Sequence, residues 1–436
     1  MMNLSLDAHW MPFTANRQFK QDPRLISRAE GVYLYDTQGH ALFDGLSGLW
    51  CCGLGHGRSE IANAVTQQMS TLDYSPGFQV GHPWSFELAN RLVSHTPSGL
   101  NRVFFTGSGS ESADTSLKIA RAYWRLKGQP GKTRLIGRHK GYHGVNFGGI
   151  SVGGIGANRK LFGAGLEADH LPHTWLADNA YSRGMPTQGA WLADELEELV
   201  ALHDAANIAA VIVEPLSGSG GVIIPPQGYL QRLREICDKH QILLIFDEVI
   251  TGFYRTGEFF GAQSFGVTPD MINIAKGLTN GCIPMGAVIV QDAIYETFMQ
   301  QDLPEHVIEL THGYTYSAHP VACAAALATL DLYESDQTAQ QVATLAPYFE
   351  QALHQLKGLP HVEDIRNFGL AGALQLAARA GDPLIRPREV FEYCWDQGVY
   401  VRYGGNTIQL APPFITTTEQ LDHLFNVLAD ALRQLA

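Results

Sequence analysis

A large α/β fold, with a mainly parallel sheet covered by helices on both faces, is predicted by two features of the sequence. Between about residues 61 and 315, short apolar runs alternate with stretches of helical periodicity. That is the pattern of strand–helix–strand units in which each strand is buried on both sides. Composition agrees: 45% of the 436 residues are hydrophobic, only 17% are charged, and 45 are glycine. This suits a sizeable core and much buried surface, a subunit interface included.

In chain order, residues 31–35 and 41–43 flank Asp36-Thr-Gln-Gly39 as two strands flank a turn. Arg102-Val-Phe-Phe-Thr106 reads as a strand running into Gly107-Ser-Gly-Ser-Glu111, and Ala113, Leu117, Ala120 and Tyr123 carry helical spacing beyond it. Ser108 and Glu111 stand at capping-box spacing, so the turn is also a helix start. Gly131-Lys-Thr133 resembles the end of a phosphate loop, but position 126 is leucine where that loop needs glycine. It reads as a plain polar turn. Residues 135–136 and 209–213 continue the strands. Pro225-Pro226, then Tyr229, Leu233, Ile236 and Cys237, mark a helix that leads into the strongest strand signal, 242–246, ended by Asp247. Residues 271–275 and 287–290 complete the series. Beyond 320, a helix over 321–333 precedes a mixed segment with strands at 373–376 and 399–401.

The net charge of −13 argues against nucleic-acid binding by charge. The six cysteines show no CxxC pair and no metal-ligand spacing, and adjacent Cys51 and Cys52 are poorly placed to bridge. Reduced thiols and no metal are expected. With no apolar signal core and no run near eighteen apolar residues, the expectation is a cytoplasmic enzyme without a membrane partner.

Lys276 closes the apolar stretch 271–275 and opens Gly277-Leu-Thr-Asn-Gly281. A strand-ending lysine is usually solvated and a strand-ending acid usually caps or pairs, so neither Lys276 nor Asp247 is distinctive alone. Together, an amine and an acid at the ends of neighbouring buried strands are what pyridoxal phosphate chemistry needs. The lysine can hold an aldehyde cofactor, and the carboxylate can keep the pyridine nitrogen protonated, making the ring an electron sink. Ligands of such sheets collect beyond the carboxyl ends of the strands, where both residues lie. Gly109 and Ser110 are phosphate candidates, because a helix N-terminus reached through glycines offers free N–H groups and the positive end of the macrodipole. An ordinary helix cap is the alternative. Position 112 is serine where the dinucleotide fingerprint needs glycine.

At this point the chain resembles the class III pyridoxal-phosphate aminotransferases of fold type I, over nearly its whole length. The motifs are Thr106-Gly-Ser-Gly-Ser-Glu111, Gly141-Tyr-His-Gly144, Val213-Glu-Pro215, Phe246-Asp-Glu-Val249, Ala275-Lys-Gly277 and Gly313-Tyr-Thr-Tyr-Ser-Ala-His-Pro320. His9-Trp-Met-Pro-Phe13, Leu46-Ser-Gly-Leu-Trp50, Leu72-Asp-Tyr-Ser-Pro-Gly-Phe-Gln79 and Tyr400-Val-Arg-Tyr-Gly-Gly405 resemble the ω-amino acid:pyruvate branch, the β-alanine:pyruvate type in particular. The resemblance implies a large cofactor domain over 61–315 and a small α+β domain built from 1–60 and 316–436. It implies pyridoxal 5'-phosphate with Lys276 and Asp247 as catalytic residues. Tyr142 and Val249 would lie on the two faces of the ring, and Glu214 near the cofactor. Thr315 would reach the phosphate of a partner subunit, which requires a homodimer and leaves a tetramer open. Arg402 would receive the substrate carboxylate, with Trp50 and Phe78 lining the pocket. His143 is set aside as structural. The implied reaction moves an amino group from β-alanine, other ω-amino acids or amines to pyruvate by a ping-pong route. A 4-aminobutyrate or diamine aminotransferase, a racemase or a decarboxylase remain alternatives within the resemblance, and a non-catalytic cofactor-binding protein is the remote one.

Overall fold

The computed structural model describes residues 5–163 and 165–435; the outermost residues of both expected divisions, 1–4 and 436, lie outside it. Three strands open the chain: β1 (Ile26–Glu30), β2 (Tyr33–Asp36) and β3 (Ala41–Asp44), joined antiparallel. Tyr33 stands opposite Phe43 and Leu34 opposite Leu42, around the turn the sequence predicts. The Asp36 carboxylate closes that turn by accepting the Gln38 and His40 N–H groups. Only Ile26 and Ala29 are apolar in β1, whose residues are mostly exposed, so no buried pattern marks it.

The central sheet has seven strands: β4 (Leu100–Thr106), β5 (Arg134–Arg138), β6 (Ala168–Leu171), β7 (Ile208–Val213), β8 (Leu243–Asp247), β9 (Met271–Ile274) and β10 (Gly286–Gln291). Their order is β4-β10-β9-β8-β7-β5-β6. From β6 to β9 every pairing is parallel. Every residue of β7, β8 and β9 is buried, which is why these strands read as continuous apolar runs. β10 runs antiparallel to both neighbours, because the connection from β9 is a short turn with no crossover helix to bring the chain back. The sequence reading passed over β6, Ala168-Asp-His-Leu, since only Leu171 is buried.

The helix Gly109–Leu126 lays Ala113, Leu117, Ala120 and Trp124 against this sheet, and the Trp124 indole donates to the Ala209 carbonyl in β7 at 2.8 Å. The helix Tyr229–Lys239 buries Tyr229, Leu233, Ile236 and Cys237. The polar turn at 131–133 needs correcting. Lys132 is 2% exposed, lies over the Trp124 ring and donates to the carbonyls of Ala205, Ile208 and Gln241 at 2.7 to 3.3 Å. Its partners come from distant segments, so the local sequence could not reveal the burial.

Near the C-terminus, β11 (Val362–Phe368), β12 (Ala371–Leu376), β13 (Val399–Tyr400), β14 (Arg402–Gly404) and β15 (Thr407–Leu410) follow the helices Pro320–Ser335 and Thr338–His354. A third sheet has the order β11-β12-β15-β14, all antiparallel. The strand expected at 399–401 is divided. β13 pairs parallel with β3, Val399 beside Phe43, and the chain then crosses at Val401 into β14. Both ends of the chain therefore meet in one sheet. All six cysteines are free, and no described helix is long and apolar enough to cross a membrane.

Candidate active site

Parallel pairing of β8 with β9 sets Asp247 beside Asn273, and Lys276 follows three residues later in a tight turn, Lys276–Thr279. Lys276 has φ 50°, a left-handed conformation that costs a non-glycine residue on the order of 1 kcal/mol or more. Two contacts hold it: the Tyr333 hydroxyl donates to the Gly277 carbonyl at 2.8 Å, and the Phe253 side chain lies 3.0 Å from where a Gly277 Cβ would stand. Burial pushes the Lys276 amine below the usual lysine range; Cys51, Asp247 and Glu214 oppose that shift and Arg402 adds to it. An amine lowered in this way gives up its proton more readily, which is what a nucleophilic lysine needs.

Asp247 is 5% exposed. The His143 Nδ1 lies 2.8 Å from its Oδ2, and the Val249 N–H donates to Oδ1 at 3.3 Å. The other ring nitrogen of His143, Nε2, is buried with no partner among the described residues. His143 is thus in direct contact with the acid, which its sequence neighbourhood gave no means of seeing. Glu214 accepts the N–H groups of Tyr142 and Gly218 at 2.9 and 3.0 Å. The buried Arg138 donates to the Glu214 carbonyl and the Ser217 hydroxyl. Burial pushes the Glu214 carboxyl up to about 7; Asp247 adds to the rise and His143 opposes it. Burial also raises the half-buried Tyr142 phenol, which Arg402 draws back.

At the head of the helix Gly109–Leu126, the Ser108 hydroxyl accepts the Glu111 N–H at 3.2 Å, as the spacing predicts. The Glu111 carboxylate accepts from Gly107 at 2.6 Å, one residue before the cap. Gly109 and Ser110 are first-turn residues, whose N–H groups have no intrahelical acceptor. A Cβ at Gly109 would meet the Val249 methyls at 3.0 and 3.1 Å, so the side chain of Val249 rests on the helix start. The Ser110 hydroxyl accepts the Val145 N–H at 3.1 Å, tying the helix start to the Tyr142–His143 loop.

Opposite lies a loop of unusual backbone: Ser47, Gly48 and Trp50 have φ of 50°, 65° and 64°. Fully buried Asp44 accepts the Leu46 and Gly48 N–H groups at 3.1 and 2.5 Å and faces His56 Nε2 at 2.7 Å. Ser47 donates to the Ala411 carbonyl and accepts from buried Arg255, which also holds the carbonyls of Leu370 and Pro412. This scaffold buries Trp50 and sets Cys51 close enough to Lys276 to influence its amine. Arg402 is half-buried in β14 and forms no ion pair among the described residues. Phe78 and Thr315 stand elsewhere. Phe78 is 53% exposed and covers Gly313, while exposed Thr315 lies in a turn, not a strand, with its carbonyl accepting from the Tyr74 hydroxyl.

Residues 14–432 match the family described as Aminotransferase class-III. The chain is a class-III aminotransferase. Beta-alanine–pyruvate aminotransferase of Pseudomonas aeruginosa is 62% identical to it, over 99% of this chain and 97% of the relative. Omega-amino acid–pyruvate aminotransferase of Pseudomonas putida is 61% identical over the same shares. Among solved structures, an (S)-enantioselective omega-transaminase from Thermomicrobium roseum superposes with a TM-score of 0.92 at 36% identity, covering 98% of this chain and 96% of that one. A PLP-bound amine transaminase from an uncultivated Pseudomonas species gives 0.89 at 36% identity, over 99% and 100%. This aminotransferase is therefore a pyridoxal-phosphate enzyme of fold type I.

The buried carboxyl of Glu214 gives the aminotransferase a testable pH signature. Its folded value lies above the ordinary 4.5, so its contribution to stability is full below pH 4.5 and is lost as pH rises through about 7. Glu214→Gln removes that dependence. With both proteins in the same cofactor state, denaturant unfolding at pH 5 and pH 8 should show the variant gaining on the wild type by up to ~3 kcal/mol across the interval. Parallel pH dependence of the two would mean that Glu214 titrates as an ordinary carboxylate.

Proposed function

We propose that this aminotransferase transfers the amino group of β-alanine and other ω-amino acids or amines to pyruvate. Alanine forms, and the donor leaves as an aldehyde or ketone, malonate semialdehyde in the case of β-alanine. The observation that carries this reading is Arg402, a guanidinium with no acid partner among the described residues and near enough to bear on the same buried amine as Asp247. The names of the two Pseudomonas relatives support the same substrates.

When bound, pyridoxal phosphate supplies an aldehyde for the amino group and a ring that takes up the electron pair left at the substrate carbon. The rest belongs to the chain. Gly109 and Ser110 hold the phosphate by their N–H groups at the helix start. Asp247, oriented by His143, keeps the pyridine nitrogen protonated. Tyr142 and Val249 would confine the ring, with Glu214 fixing the Tyr142 backbone. Lys276 would hold the cofactor aldehyde and would move the proton at the donor's amine-bearing carbon. Arg402 grips pyruvate or a donor carboxylate through its bidentate fork and moves aside for donors that lack one. Trp50 walls the pocket. Exposed Thr315 and Phe78 are assigned to the site of a partner subunit, which makes the working unit a homodimer, placed in the cytoplasm. We assign 61–315 to the cofactor domain, with 1–60 and 316–436 forming the small one.

Three measurements test this reading. Borohydride reduction of the purified enzyme should fix the cofactor to Lys276, and peptide mapping to another lysine would remove the central assignment. Light scattering should give twice the chain mass of 47.8 kDa; a fully active monomer would exclude a shared site. Arg402→Ala should slow the first half reaction of β-alanine by about a hundredfold while changing that of an arylethylamine severalfold at most, since the bidentate contact belongs to the carboxylate. An equal fall for both donors would make Arg402 structural. The half reactions must be measured separately, because steady-state assays carry the pyruvate defect into every donor.

A further inference from the structure

Asn273 is the one side chain of β9 that does not suit its surroundings. It stands between Ile272 and Ile274, is 0% exposed, and neither its amide nitrogen nor its amide oxygen has a hydrogen-bond partner among the described residues. Turning the amide over would change nothing, since both ends are unpaired. A buried amide left in this way is costly, and an apolar side chain of similar bulk would remove the cost. Groups of this kind are rare in a close-packed interior. The backbone of Asn273 is in order, its carbonyl accepting the Glu248 N–H at 2.9 Å, so the anomaly belongs to the side chain alone.

Strand register gives the amide a neighbour. Asn273 pairs with Asp247 across the parallel β8–β9 ladder and with Val288 across the antiparallel β9–β10 ladder, and residues paired in this way point to the same face of a sheet. On that face Ile245, Met271 and Val288 are fully buried and apolar. Asp247 is therefore the only polar side chain that either neighbouring strand sets beside the amide. The helix start closes over the end of β9: the Ser112 hydroxyl donates to the Ile274 carbonyl at 3.2 Å, and the Ala275 Cβ lies 3.6 Å from where a Gly109 Cβ would stand. Asp247 has acceptor capacity to spare. A carboxylate offers about four lone-pair sites, and here His143 faces Oδ2 while the Val249 N–H reaches Oδ1 at a long 3.3 Å. A pyridine N–H would take a third site and leave another free.

We propose that Asn273 is a positioning residue for Asp247, an inference that rests on the role given to Asp247 above. With cofactor bound, the amide turns about its side-chain torsions and donates from Nδ2 to the carboxylate. The acid is then held from the sheet by Asn273 and from the loop by His143. Asn273 touches neither cofactor nor substrate, and its effect reaches the reaction only through the acid.

Asn273→Val tests this, because it removes the amide and keeps a side chain suited to a strand. Asp247→Ala removes the acceptor. Cofactor release should be followed on four holoenzymes, the wild type, the two single variants and the double variant, by loss of the protein-bound absorption, with thermal unfolding as the check on folding. The expected result is release about tenfold faster for Asn273→Val than for the wild type, and less than about twofold faster when the same change is made beside Asp247→Ala. The first half reaction of Asn273→Val with β-alanine should lose about tenfold in kcat with KM unchanged. Asn273→Ala should give the same pattern and guards against a misfit of the valine branches. Equal acceleration in both backgrounds would make the amide merely structural and overturn the proposal, as would release and kcat within about twofold of the wild type. Should Asp247→Ala itself keep the cofactor and the turnover of the wild type, the assignment of the acid would fall, a result distinct from either.

Discussion

Everything at this site depends on keeping charge away from water. One amine, two carboxyls and a histidine are packed at the carboxyl edge of three strands with no exposed residue. Burying such groups is costly unless each finds partners or gives up its charge. The structure uses both remedies. Asp247 is met by a histidine and an N–H, and Glu214 by two N–H groups. Lys276 is driven toward the neutral form. The parallel sheet makes this possible, since its strand ends open onto one crevice while their flanks stay dry.

The partners that satisfy these groups come mostly from loops, which must be rigid to do so. Three positive-φ residues within four positions, Ser47, Gly48 and Trp50, would not hold their shape unaided. Asp44, His56 and Arg255 hold them from behind, all withdrawn from solvent. Arg255 also ties the β8–β9 region to the segments before β12 and after β15. The shape of this loop is thus fixed by buried residues that stand behind it.

What the sequence reveals and what it hides divide along the range of the contacts. The strands ending at Asp247 and Lys276 were legible because burial on both faces imprints an unbroken apolar run. The cap at Ser108 was legible because its hydrogen bond spans three residues. His143 looked ordinary because its partner is about a hundred residues away. Lys132 looked like a solvated turn because the carbonyls that receive it belong to other segments. β10 was found as a strand, but its direction was not, since the apolar run is the same either way. Phe78 and Thr315 entered through motif likeness alone, and within one chain they stand on an exposed surface.

The pairing of β13 with β3 joins residues from nearly opposite ends of the polypeptide. Loop closure across such a distance is slow relative to local folding, and during synthesis it must wait for the C-terminal segment. The helix start with Gly109, the strand ending at Asp247 and the turn that carries Lys276 lie entirely within the stretch made before that moment. Arg402 sits two residues after the closing pair. Under the roles proposed above, a ribosome-bound chain would present its cofactor cradle before its carboxylate receptor, and early cofactor capture on stalled chains is the sign by which this order of assembly would be seen.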